Sequence, residues 1–91
     1  MTDKQKLSKR ALKKLLKDKL ILDKIHKGKY REVIESDVPA KKLKNGRSLI
    51  LSYYNQSQYI CTKHELRTNT GRTVHQDVEA VFLDNIRYDR L

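Results

Sequence analysis

Arg47 to Leu83 reads RSLILSYYNQSQYICTKHELRTNTGRTVHQDVEAVFL, and this stretch decides the fold. β-Branched and aromatic residues alternate with polar ones, and the alternation breaks at Asn55-Gln56-Ser57 and at Asn69-Thr70-Gly71. Two hairpins sharing a central strand from about Gln58 to Arg67 are predicted. In the first strand, Arg47 to Tyr54, the two-residue repeat puts Leu49, Leu51 and Tyr53 on one face and Ile50, Ser52 and Tyr54 on the other. The leucine face is expected to look inward. The central strand is mixed, with Ile60, Thr62, His64 and Leu66 opposite Tyr59, Cys61, Lys63, Glu65 and Arg67. A third strand starts at Arg72 and continues or restarts over Val78 to Leu83. Asp84-Asn85 then turns the chain, and Ile86 and Tyr88 are expected in a final edge strand.

Upstream, Met1 to Lys27 carries ten Lys or Arg against three Asp, so most of the net charge of +10 lies at the front. Leu12, Leu15, Leu16, Leu22 and Ile25 recur at helical spacing, with Ala11 beside them. Asp3 or Ser8 suits the cap of this helix, and Gly28 suits its left-handed stop. Leu20-Ile21-Leu22 breaks the period and marks a kink or a break between two shorter helices. The leucines are expected to dock on the sheet, because a thin sheet needs a covering layer; a helix lying on a lipid surface is the competing reading. Tyr30 to Glu35 reads as a short strand, and Pro39, Lys41-Lys42-Leu43-Lys44 and Asn45-Gly46 form the connector that follows.

The expectation is a single α+β domain over 1–91. It comprises a basic helical segment over 1–27, a connector with a short strand over 28–46, and antiparallel strands over 47–91. The N-terminal amphipathic helix, or two short helices, packs on an antiparallel meander of four or five short strands. A small half-open barrel with an N-terminal helix is the alternative. The outline is similar to that of the small bacterial toxins that cut RNA, and many unrelated small domains share it. Ninety-one residues leave room for one thin core, about 60–65% of the unfolded surface being buried at this size.

The single Cys61 rules out an internal disulfide, which suits a reducing cytoplasm. No apolar run is long enough to span a bilayer, and the N-terminus has no apolar signal-peptide core. A strong positive balance in 10.8 kDa attracts polyanions, so nucleic acid is the first partner expected, RNA ahead of DNA. An acidic protein partner, as for an inhibitor or interaction module, is a further reading. The oligomeric state is not readable from the residues.

Three constellations are candidates for chemistry. His64 and His75, with Arg67, Arg72 and Tyr88, supply the acid, base and cations of metal-free RNA cleavage. A two-residue loop in the second hairpin would set the two histidines directly across from each other; a type I turn with a bulge would make them diagonal or opposite-faced. Cys61, His64, His75 and Asp77 have the residue types of a zinc site but the wrong spacing, because residues three apart on a strand point to opposite faces. No metal and no cofactor are therefore expected. Finally, Lys13, Lys14 and Lys17 on the helix, Lys63, Arg67, Arg72 and Arg87 on the strands, and Tyr54 and Tyr59 combine phosphate-binding cations with rings able to stack bases. Phosphate-binding glycine loops, a nucleophile-elbow serine and a magnesium-type carboxylate cluster are absent from the sequence.

Overall fold

A computed structural model describes residues 3–91. The chain runs β1 (Asp3–Leu7), α1 (Lys9–Asp18), α2 (Ile21–His26), β2 (Arg31–Pro39), β3 (Arg47–Asn55), β4 (Gln58–Arg67), β5 (Thr73–Leu83) and β6 (Ile86–Arg90). β2 to β6 form an antiparallel meander, and β1 adds to β6 in parallel, giving one open sheet in the order β1-β6-β5-β4-β3-β2. The α+β reading holds, with six strands where four or five were expected. Two differences account for the count. Asp3 to Leu7, expected in the helical segment, is strand β1, so β6 is not the edge. The short strand expected near Tyr30 extends to Pro39 as β2, which occupies most of the anticipated connector.

The helical segment divides as the broken leucine period suggested. Ser8 caps α1, its side-chain oxygen accepting from the Ala11 N–H at 3.1 Å. Leu20 takes a left-handed conformation (φ 59°) between the helices, and Gly28 (φ 70°) follows α2. Leu12 and Leu16 of α1 and Ile21 of α2 are buried against Leu49, Leu51 and Tyr53 of β3, Cys61 of β4, and Val78 and Val81 of β5. This one cluster is the core. The helices therefore dock on the sheet through their apolar stripe, which leaves the lysines of α1 in water.

Turn chemistry sets the register of the second hairpin. Thr68 N donates to Arg72 O at 2.8 Å, and Gly71 sits at φ 88°, so the loop is Asn69 to Gly71 with glycine in the left-handed position. Val74 is then skipped as the ladder passes from Arg67↔Thr73 to Leu66↔His75. Each irregularity slides the pairing by one residue, and together they slide it by two. His64 consequently lies across from Asp77, and His75 across from Leu66.

Candidate nucleic-acid interface

On α1 the leucine stripe faces the sheet and the cations take the remainder of the circumference. Lys9, Arg10, Lys13, Lys14 and Lys17 line one exposed groove along it. No acidic residue stands in the first turn of the helix. Lys9 reaches Asp77 of β5, and Lys14 reaches Asp18 at 3.8 Å, whereas Arg10, Lys13 and Lys17 make no ion pair among the described residues. Like charges three and four residues apart repel, so this face is held together at a cost that a bound polyanion would relieve.

The N-terminal half of α1 also borders a cleft beside β5. β6 pairs only with Ala80 to Leu83, so β5 from Thr73 to Glu79 is an open edge. Lys9, Lys13 and Leu22 from the helices, Lys63 from β4, and the β5 residues from Thr73 to Val78 line the cleft. At its side, Asp77 Oδ2 accepts from His75 Nε2 at 2.9 Å, while Lys9 pairs with the other oxygen and Arg90 approaches at 4.0 Å. Burial acts to raise the Asp77 carboxyl, but the hydrogen bonds and charges of Lys9 and His75 outweigh it and hold the group below its ordinary value.

The anticipated acid–base set is brought together only in part. His64 and His75 are diagonal neighbours across β4 and β5, and each has its own partner: His64 Nε2 lies 2.7 Å from Ser48 Oγ, His75 from Asp77 as above. Arg67 is turned to Glu65 at 3.1 Å. Arg72 is exposed in the loop region, and Tyr88 packs against the core from β6. Of the four residues weighed for zinc, Cys61 is fully buried in the core, and the described residues contain no group of three or more His, Cys, Asp or Glu placed to hold a metal.

Lys63 leaves the set of surface cations. It is only 3% exposed, and its ammonium donates to Gln76 Oε1 at 3.1 Å and pairs with Glu65 Oε2 at 3.2 Å. Alternation along β4 places it beside Cys61 and Glu65 on the face that the helices cover; the signal was therefore in the period, against the usual preference of lysine for water.

The face away from the helices carries the aromatics. Ser52, Tyr54, Tyr59, Thr62, Phe82, Lys4, Glu35 and Arg87 line a broad depression in which strands from both sides of the sheet take part. Tyr54 and Tyr59 meet edge to face at 5.7 Å between centroids. Arg31 stacks 4.9 Å over Tyr54, and Arg87, held by Asp89 at 2.9 Å, lies 5.4 Å over Tyr59. Nothing in the short Tyr30 to Glu35 pattern singles out Arg31, because its stacking depends on β2 pairing with β3 beside Tyr54. Comparison with protein-family models, with curated proteins and with solved structures finds no match, so the two cationic surfaces are read from their geometry.

Proposed function

We propose that this protein binds nucleic acid, RNA in preference to DNA, with the exposed face of α1 as its phosphate-binding surface. The observation that carries the reading is the groove of Lys9, Arg10, Lys13, Lys14 and Lys17, in which three cations have no carboxylate partner among the described residues. A backbone of regularly spaced phosphates compensates such a row and releases its own condensed counterions on doing so. The preference for RNA is supported by the second surface, where Tyr54 and Tyr59 with Arg31 and Arg87 give π faces and guanidinium planes for unpaired bases. The helices and this aromatic depression lie on opposite faces of the sheet, so a single strand using both would pass around an edge. The engagement of His64 by Ser48 and of His75 by Asp77 favours binding over cleavage by that pair.

Fluorescence anisotropy with a labelled single-stranded RNA, titrated over salt, tests the proposal. Each engaged phosphate contributes about −0.7 to the log–log slope for a single strand. The double variant Arg10→Ala, Lys17→Ala is expected to make the slope shallower by about 1.4 on the same rule. An affinity that ignores both salt and these substitutions would remove the proposal. DNA of the same sequence, bound equally well, would remove the preference for RNA.

A further inference from the structure

The open edge of β5 is the feature that the phosphate groove leaves unused. Between Thr73 and Glu79 the outer peptide groups have no strand neighbour, because β6 ends its pairing at Ala80. An edge of this kind is a template for another strand, and proteins ordinarily cover it or blunt it. The opposite edge of the sheet, β2, is blunted: Glu35 is bulged out of the ladder, Pro39 lacks an N–H, and Glu32, Glu35 and Asp37 are charged. β5 carries bulges at Val74 and Glu79 and the charge of Asp77, but it has no proline over this stretch, and Val74 stands 44% exposed on it.

We propose that the open edge of β5 accepts an extended, acidic peptide segment of a partner protein as an added strand, with Lys13 pairing with one of its carboxylates. Two observations fix the chemistry of the occupant. The cleft along the edge has a volume of about 490 Å³, within the roughly 300–1,000 Å³ of ordinary ligand sites. Its walls are of two kinds: Leu22, Val74 and Val78 are apolar, and Lys9, Lys13 and His75 are basic. A strand presents alternate residues to opposite sides, so a segment alternating aliphatic and acidic residues meets both walls while its backbone completes the ladder. Asp77 does not repel it, since Lys9 and His75 already engage its carboxylate, which leaves Lys13 as the cleft cation without an ion pair among the described residues. The cleft borders the phosphate groove and shares Lys9 and Lys13 with it, so the added strand would compete with RNA for Lys13.

The probe is a blocked heptapeptide alternating glutamate and valine, followed by anisotropy and by backbone amide NMR on the whole protein. Saturable binding is expected, with amide shifts and slowed hydrogen exchange concentrated between Thr73 and Glu79. The same peptide with alternate peptide nitrogens methylated, in the frame that removes its ladder donors, is expected not to bind, and a lysine–valine heptapeptide is expected to fail as well. Lys13→Glu, at an exposed position that leaves the fold intact, is expected to weaken binding by about tenfold. If the methylated peptide binds as well as the parent in both frames, or the shifts fall on Arg10, Lys14 and Lys17 and not on β5, the contact is charge alone and the proposal fails. If a short RNA shifts the Thr73 to Glu79 amides and the peptide does not, the cleft belongs to the nucleic-acid surface and the proposal fails, while the RNA reading gains. If neither ligand moves β5 but RNA still binds α1, only the strand-addition proposal is lost.

Discussion

Lys63 Nζ lies 3.2 Å from Glu65 Oε2, with both residues at most 5% exposed on the helix-covered face of the sheet. Two charges rarely share so thin a core, and here the cost of removing them from water is offset by a connected set of partners. Glu65 also accepts from Arg67 Nε at 3.1 Å and Thr73 Oγ1 at 2.9 Å, and Lys63 from its side reaches Gln76 and lies 5.5 Å over the Tyr53 ring. The pair stands directly across β3 from Leu51 and Leu49, so it joins the apolar core to the hairpin end of β4 and β5.

Removing one member should therefore cost far more than removing both. Glu65→Leu alone is expected to destabilise the fold by about 3–5 kcal/mol, because the Lys63 charge stays buried without a carboxylate, and Lys63→Met alone by less, since Arg67 and Thr73 still hold Glu65. The double replacement is expected to recover most of that loss. Urea unfolding of the four proteins in a double-mutant cycle measures it, and additive losses would show that the two charges do not stabilise each other.

Acid should loosen the same region. Burial alone would raise the Glu65 carboxyl, but the Lys63 charge and hydrogen bonds from Thr73, Lys63 and Arg67 together hold it below its ordinary 4.5; Asp77 is likewise held below 3.8. A carboxylate whose folded value is depressed contributes stability above its unfolded value and loses it as pH falls through the folded one. Stability is thus expected to be level near neutrality and to drop from pH 4.5 downward. Thermal unfolding at a series of pH values checks this, and Glu65→Gln should flatten the drop while lowering the neutral plateau.

The two fully buried leucines of α1 should matter more than the others. Leu12→Ala and Leu16→Ala are each expected to cost about 2–5 kcal/mol, and the half-buried Leu15→Ala distinctly less. Denaturation midpoints measured side by side decide the ranking. An equal loss at all three positions would mean that Leu15 is packed as completely as Leu12 and Leu16.

Cys61 should be chemically silent in the native protein. Burial pushes its thiol up to about 12, only partly countered by the Lys63 charge, and the side chain is inaccessible. Iodoacetamide at mildly alkaline pH is expected to modify it only as fast as the protein unfolds, so the alkylation rate should rise in step with added urea. Rapid labelling without denaturant would contradict the packing of this core.

Much of the architecture was legible because it is local. The strict alternation of Leu49, Leu51 and Tyr53 marks β3 and its buried face without any knowledge of the partner strands. The broken leucine period at Leu20 marks the division between α1 and α2, and Ser8 marks the start of the first. Asp3 to Leu7 was not legible as a strand, since Asp-Lys-Gln-Lys-Leu has a single apolar residue, Leu7, and its partner strand β6 lies at the other end of the chain. Its neighbour in space is more than eighty residues away in the chain, between Ile86 and Arg90.

The site follows the same division. Composition and helical spacing by themselves determined that a row of cations would stand on one side of α1, because an amphipathic helix that buries its leucines must expose what lies between them. Register was decided only by the tertiary structure. The loop closed by Gly71 and the residue skipped at Val74 each move the pairing by one position, and no short-range pattern fixes their sum. That sum places His64 across from Asp77 and makes His75 its diagonal neighbour, across from Leu66. The open edge of β5 likewise depends on where β6 stops, which is a property of the assembled sheet and of no single segment.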